Sequence, residues 1–286
     1  MQANILKLLR DPDNGCPLSY QTAPNGAEFL CEPKSGRIYP IKNGIPNFLH
    51  QRPVSGLNLK YQKQYDLLSP FYNFVTKTAI FLMGAKEADV RRQYLCELEI
   101  EPGMKVLEVS VGTGSNICLL PPYAQYFGLD ISWGQLKQCQ KNLKKLGLSA
   151  QLFLCDAEHL PFSDNQFDVV FHMGGINFFS DPALALQEMV RVAKPGSKIV
   201  VVDETDKFTK KLAKIPIVKE FFKHPNAMAA PELHLPDNVE EVQQKELFDG
   251  RLWYLGFRKP HINKLSKVTS LLQWRHKTES RQKSPL

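Results

Sequence analysis

The sequence predicts an α/β protein: a doubly wound, mostly parallel sheet that ends in a C-terminal antiparallel hairpin, with a small β module in front. Three observations carry this. Beyond Pro102-Gly103, short apolar β-rich runs alternate with helical periods, the pattern of a parallel sheet with crossover helices. The first run, residues 105–109, holds an acid at Glu108 and breaks soon after on Gly112 and Gly114. Glycines let backbone approach a ligand, and a helix start beyond them offers free N–H groups. Late in the chain, Asp249-Gly250 separates two β-rich runs, a hairpin signal.

The elements follow in order. Residues 1–53 are punctuated by six prolines from Pro17 to Pro53 around short β-like pieces at 27–31 and 37–41, so they form the front module. Residues 54–100 turn helical: Tyr61, Tyr65, Leu68, Tyr72 and Val75 recur at three- and four-residue steps, predicting one helix over 57–75 and a second over 86–98. The main domain spans 101–260. Strands are expected at 105–109, 125–129, 150–155, 167–173 and 198–202. Helices are expected from 115, over 132–146 and from Asp181 to about 193. Gly147 and Pro195-Gly196 supply stops and Asp181 a cap. The hairpin covers 241–248 and 252–258, and a basic tail fills 261–286.

Bulk composition bounds the function. The chain has 286 residues, 43% hydrophobic and 23% charged, as a globular protein with one α/β domain and an appendage should. There is no apolar run of spanning length and no secretory leader pattern at Met1–Arg10, so a cytoplasmic location is the default expectation. Net charge is +7, partly from a C-terminal series including Arg258, Lys259, Lys264 and Lys267. Such a tail offers a surface to RNA or to an anionic membrane, against the plainer reading of a solvated end. Of six cysteines, Cys96, Cys118, Cys139 and Cys155 fall in expected helices and strands without short pair spacing; reduced, buried thiols are expected.

Acids stand near the carboxyl ends of three successive strands: Glu108, Asp130 and Asp156. Ligands of open parallel sheets lie there. Asp130, 16 residues past Gly114, suits a carboxylate accepting from ribose hydroxyls, and Asp156 one accepting from the exocyclic amine of adenine. Each alone reads as a turn or cap; three together read as a site. A nicotinamide dinucleotide fits poorly, because Ser115, Asn116 and Ile117 follow Gly114 without the third glycine of that fingerprint.

These residues are recognisable. Val-Leu-Glu-Val-Ser-Val-Gly-Thr-Gly, Gly-Leu-Asp-Ile-Ser, Cys-Asp-Ala-Glu-His-Leu-Pro-Phe, Phe-Asp-Val-Val-Phe and Ala-Lys-Pro-Gly resemble the class I S-adenosylmethionine-dependent methyltransferases, in the branch of the ubiquinone/menaquinone C-methyltransferases. The resemblance spans about residues 60–259. It implies a seven-stranded Rossmann-like sheet, S-adenosylmethionine as cofactor and a small, lipophilic acceptor. It also implies roles: Glu108 near the methionine ammonium, Gly112 and Gly114 admitting the cofactor, Asp130 on the ribose, Ile131 against adenine, and Asp156 and Ala157 on the adenine edge. Ser110 stands where family members often carry glycine. The 57–75 helix resembles a lid from which Tyr65 reaches the methionine carboxylate, against the plainer reading of a core tyrosine. His172 is the first candidate base, against a structural histidine; His234 and Glu204 are weaker candidates. Phe71, Phe74, Phe208, Phe221, Phe222 and Met228 offer an aromatic pocket, or ordinary packing.

The front module resembles the zinc ribbon ahead of some rRNA guanine methyltransferases, carried by Cys16-Pro-Leu-Ser19, Cys31-Glu-Pro-Lys34 and the Tyr39–Phe48 segment. Ser19 and Lys34 occupy paired-ligand positions, leaving two cysteines and a remote His50, so no metal is expected. Three functions stand: a small-molecule methyltransferase first, an RNA methyltransferase using ribbon and tail second, and a non-catalytic partner third. Against RNA, Phe171-His-Met-Gly-Gly175 stands after the fourth strand in place of an Asn-Pro-Pro-Tyr-type motif, and no basic–aromatic platform is evident.

Overall fold

The computed structural model describes residues 2–208 and 235–261. A four-residue helix α1 (Ala3–Leu6) precedes four short strands, β1 (Ser19–Thr22), β2 (Glu28–Cys31), β3 (Ile38–Lys42) and β4 (Ile45–Pro46). They pair antiparallel in sequence order as one sheet. Three helices follow, α2 (Gly56–Leu68), α3 (Tyr72–Leu82) and α4 (Glu87–Leu95). The expected helix over 57–75 is thus two. Pro70 lacks an N–H and cannot continue an α-helical ladder, and the axis breaks across Ser69–Phe71.

Next come β5 (Lys105–Val109), β6 (Gln125–Asp130), α5 (Trp133–Lys145), β7 (Gln151–Leu154), β8 (Phe167–Met173), α6 (Pro182–Val192), β9 (Ala193–Glu204), β10 (Glu240–Leu247) and β11 (Leu252–Arg258). They build one seven-stranded sheet in the order β10-β11-β9-β8-β5-β6-β7. β7, β6, β5, β8 and β9 run parallel, and β11 and β10 close the sheet antiparallel. α5 starts at Ser132, whose hydroxyl accepts from Gln135 N at 3.1 Å, and α6 at Asp181, whose carboxylate accepts from Leu184 N at 3.0 Å. The chain winds from β5 to β7 on one side, then crosses back to β8 on the other. That reversal opens a crevice at the carboxyl ends of β5 and β8.

One expected helix is absent. After Gly114 the chain forms only a 3-10 turn at Ile117–Leu119, and Leu120 is extended before Pro121-Pro122. A residue before proline is driven out of the α region, so the turn cannot lengthen into a helix with a useful N-terminal dipole.

The front module packs into the main core. Leu30, Tyr39 and Phe48 share one buried cluster with Phe153, Phe162 and Phe167, and Asn47 pairs in parallel with Leu154 of β7. Carboxylates hold its turns. Buried Asp11 accepts from Asp13 N (2.8 Å), Asn14 N (3.1 Å), the Arg37 guanidinium (3.0 Å) and the Tyr39 hydroxyl (2.9 Å). Glu32 accepts from Lys34 N at 2.9 Å and Ser35 N at 2.6 Å; hydrogen bonding from Ser35, then from Lys34, holds its carboxyl down at about 2. Among the described residues no group of three His, Cys, Asp or Glu is arranged to hold a metal. All six cysteines are free, with Cys139 and Cys155 buried but Cys96 exposed and Cys118 only half-buried, unlike the expectation for all four. Arg258 pairs with Glu241 at 2.8 Å and with Glu99, and Lys259 donates to the carbonyls of Arg191 (3.1 Å) and Ala193 (2.9 Å). These two cations therefore tie down the sheet rather than opening a basic surface. The rest of the tail, with Lys264 and Lys267, lies outside the described residues, as do His234, Phe221, Phe222 and Met228.

Candidate active site

The site grows from the end of β5. Ser110 turns the chain at φ 59°, and Gly112 and Gly114 follow at 53° and 76°. Non-glycine residues pay about 1–2 kcal/mol in that region, and Ser110 bears this cost. The turn is fastened to β6: Gly112 N donates to Asp130 Oδ2 at 2.9 Å, while Asp130 Oδ1 accepts from Ser132 N at 2.8 Å. Burial raises the Asp130 carboxyl to about 6, with the Ser132 and Gly112 N–H bonds pulling the other way. Gly114 has a different reason to be glycine. A Cβ there would lie 2.7 Å from Cys139 Sγ on α5, so the residue serves close packing and does not line the cavity.

That cavity, of about 690 Å³, is walled by Ser110, Gly112, Asp130, Ile131, Asp156 and Ala157, with Tyr65 above them. Asp156 Oδ1 is 3.1 Å from His159 Nδ1, and His159 Nε2 lies 2.7 Å from an Arg52 guanidinium nitrogen. Arg52 can only donate, so His159 accepts at Nε2 and carries its proton on Nδ1, directed at Asp156. A residue from the edge of the front module thus aligns an acid of the cavity wall.

α2 roofs the cavity. Gln62 donates to the Ile131 carbonyl at 2.7 Å, and Asp66 accepts from the Ser132 hydroxyl (2.6 Å) and Gly134 N (2.8 Å) at the start of α5. Asn58 bridges Glu158 and Ser180 N. A Cβ on Gly134 would lie 2.6 Å from Ser69 Oγ, so glycine here lets the roof close down on α5.

Two further cavities adjoin. One, of about 690 Å³, takes in Glu108 with Ser110, Gly112, Arg91 and Asn116. Glu108 Oε1 accepts from Asn116 Nδ2 at 2.6 Å; Oε2 is buried and unpartnered. Burial lifts its carboxyl to about 8, against the pull of Asn116 and Arg91. The other, of about 850 Å³, is apolar, walled by Tyr61, Tyr65, Leu68, Phe71, Phe178 and Phe208, with Glu204 on its rim. Phe71 and Phe208 therefore stand where an aromatic pocket requires; Phe74 is 73% exposed and does not. Tyr72 and Gly174 line all three cavities.

The structure does not bring His172 to any of these walls. It is fully buried, with Nδ1 3.0 Å from the Val109 carbonyl and the ring edge-on to Phe179. Burial lowers its pKa, so it is the neutral Nδ1–H tautomer, donating to backbone. Alternate residues of a strand face opposite ways, and it is Met173, one residue on, that reaches the cavity. Gln135 was not singled out from sequence. It is 2% exposed, lines the first cavity, and neither atom of its amide has a partner. Its only signal is its place three residues after the Ser132 cap.

The glycine turn, the two strand-end acids and the sheet order define a Rossmann-like α/β fold of the methyltransferase type. Residues 107–201 match the family described as Methyltransferase domain. The relatives include the ubiquinone/menaquinone biosynthesis C-methyltransferase UbiE of Burkholderia multivorans, 34% identical over 156 residues, which cover 53% of this chain and 60% of that one. UbiE of Cupriavidus pinatubonensis is 36% identical over 113 residues, 38% of this chain and 46% of its own. The chain thus spans about half to three-fifths of the length of the curated relatives it matches. Among solved structures, the cyclase SpnF superposes with a TM-score of 0.57 at 18% identity, covering 73% of this chain and 98% of its own. A chain of a Haloferax volcanii complex containing the Trm112 methyltransferase activator gives 0.55 at 16% identity, covering 69% and 98%. These show a shared fold; a cyclase among them illustrates that the fold does not fix the chemistry.

Proposed function

We propose that the chain is an S-adenosylmethionine-dependent methyltransferase acting on a small, apolar acceptor. The observation that carries this is the convergence of three cavities on Tyr72 and Gly174. One is bordered by Asp130, Asp156 and Gln135, one is next to the buried Glu108, and one is lined by aromatic side chains. The unpartnered Gln135 amide and Glu108 Oε2 fit a polar ligand, since buried polar atoms otherwise find partners. In this reading Asp130 accepts from the ribose, Asp156, aligned by His159, meets the adenine amine, Ala157 and Ile131 pack on the ring, and Glu108 faces the methionine ammonium. Ser110 and Gly112 shape the turn beneath, and Tyr65 covers the site from α2. The cofactor supplies an already activated methyl group. The protein's task is to hold the acceptor in line and keep water out, and proximity accounts for most of the gain. The α2–α3 roof does both.

The apolar lining of the third cavity favours a small acceptor over RNA. Peripheral contact with an anionic membrane belongs to the same reading, supported by exposed Leu67, Phe74 and Phe81 beside Lys63 and Lys77 on α2 and α3. The free cysteines support the expected cytoplasmic location, and no helix among the described residues is long and apolar enough to cross a membrane.

Calorimetry with S-adenosylhomocysteine tests the proposal. The parent is expected to bind, and Asp130→Ala to lose about 1.5–3 kcal/mol, the worth of a hydrogen bond to a charged group. That is more than tenfold in affinity. No binding by the parent overturns the assignment; equal binding by the variant removes the ribose role.

A further inference from the structure

We propose that Gln135 is a specificity-determining residue of the first cavity: its side-chain amide donates to a ribose hydroxyl oxygen that Asp130 cannot satisfy, so the site selects a nucleoside with an intact ribose over its deoxy forms. This rests on the methyltransferase reading and goes beyond it to the residue that sets the choice of sugar.

Ser132-Trp133-Gly134-Gln135 has the spacing of a capping box, in which the glutamine three residues on turns back to the N–H of the cap residue. Half of that box forms: Gln135 N donates to Ser132 Oγ at 3.1 Å. The return bond does not, because Ser132 N is already given to Asp130 Oδ1 at 2.8 Å. The Gln135 side chain is thereby released from the helix end. It lies in the wall of the first cavity, 2% exposed, and neither Oε1 nor Nε2 has a partner. Among the described residues, several buried side-chain atoms lack a partner, but only those of Gln135 belong to a residue lining this cavity. The other amide in the wall, Asn58, is already committed. Its Nδ2 donates to Glu158 Oε1 at 3.1 Å, and its Oδ1 accepts from Ser180 N at 3.0 Å.

The place of the amide names the ligand group. A Cβ on Gly112 would come 3.8 Å from Gln135 Oε1, and Gly112 N donates to Asp130 Oδ2 at 2.9 Å. Amide and carboxylate therefore flank the same glycine. An ionised carboxylate only accepts. Each Asp130 oxygen takes one backbone N–H and keeps room for a ribose O–H. A hydroxyl engaged in that way still has two lone pairs on its oxygen and calls for a donor. Asp156 and Glu158, the other acids of the wall, cannot supply one when ionised. Gln135 Nε2 carries two N–H groups. Carboxylate and amide together thus match a diol, which both gives and receives.

The arrangement has a second consequence. A buried amide without a partner destabilises the protein, and a ligand that occupies it recovers that loss only while bound. Removing the amide should therefore weaken binding without weakening the fold. A glutamine kept for structure would show the reverse.

The test is calorimetry on the full chain with S-adenosylhomocysteine and its 2′-deoxy and 3′-deoxy forms, together with urea unfolding of the ligand-free protein. Gln135→Met keeps an unbranched side chain of similar size. It should bind S-adenosylhomocysteine about five- to tenfold more weakly than the parent, the range of one net hydrogen bond. For one of the two deoxy forms, the one lacking the oxygen that the amide reads, parent and variant should bind alike. The ligand-free variant should unfold at the same urea concentration as the parent or a higher one. Unchanged affinity for S-adenosylhomocysteine overturns the proposal. So do equal losses for all three ligands, which would put the effect in the fold or elsewhere on the ligand, and so does a lower urea midpoint. If S-adenosylhomocysteine fails to bind the parent, it is the methyltransferase reading that falls; if it binds parent and variant alike, only the role of Gln135 does.

Discussion

Gly114 offers a sharp test of how the glycine turn is held. In Gly114→Ala the new Cβ stands 2.7 Å from Cys139 Sγ and 3.8 Å from Leu143 Cγ, on a backbone at φ 76°. The left-handed conformation costs an alanine about 1–2 kcal/mol, and forcing an atom into a packed core costs about 1–3 kcal/mol more. The expected loss is therefore about 2–5 kcal/mol in urea unfolding, read as a midpoint shift at constant slope. The two parts separate because only the second depends on the thiol. Cys139→Ala alone leaves a small cavity and costs about 1 kcal/mol. Combined with Gly114→Ala it removes the Sγ contact, so the double variant should be less destabilised than the sum by about 1–3 kcal/mol, within the range known for residues in contact. Strict additivity would refute the argument that packing against α5, rather than the backbone alone, demands glycine there.

The other expectations concern charge. In the ligand-free protein the folded state holds the Glu108 proton up to about pH 8, whereas an unfolded glutamate releases it near 4.3. The folded state thus binds more protons between those values, and stability falls as pH rises through that window. Urea midpoints at pH 5 and pH 8 should drop more for the parent than for Glu108→Gln, by at least about 1.4 kcal/mol, the equivalent of one tenfold change in proton affinity; equal drops would contradict it. Arg52→Ala should weaken S-adenosylhomocysteine binding about three- to tenfold by loosening His159 and Asp156, and should add nothing in an Asp156→Ala background; calorimetry giving additive losses would break the chain of contacts.

Much of this was legible in the sequence. Strand and helix periods differ, and each turn carries its own residues, so the mostly parallel sheet and the hairpin at Asp249-Gly250 could be read. Asp130 and Asp156 were readable because strand ends define where a ligand lies. What resisted was whatever depends on side-chain direction or on distant partners. His172 and Met173 are adjacent in sequence but face opposite ways. The segment after Gly114 has a helix-like start, and the cost of Pro121-Pro122 a turn later outweighs it. Gln135 and Tyr72 gain their places only when α5 and α3 pack over the sheet. The Arg52–His159 contact joins residues 107 positions apart, and local spacing carries no trace of it.

The two rims of the large sheet are guarded in different ways. β10 carries Glu240, Glu241, Lys245 and Glu246 and stands largely exposed; charged side chains along an edge discourage a stranger from adding on. β7 reads Gln-Leu-Phe-Leu, a hydrophobic border that would otherwise be a template for aggregation. The bridge between Asn47 and Leu154 occupies that border. The first fifty residues therefore cover part of the edge of the sheet they flank. Removing them is expected to leave a hydrophobic margin open to self-association.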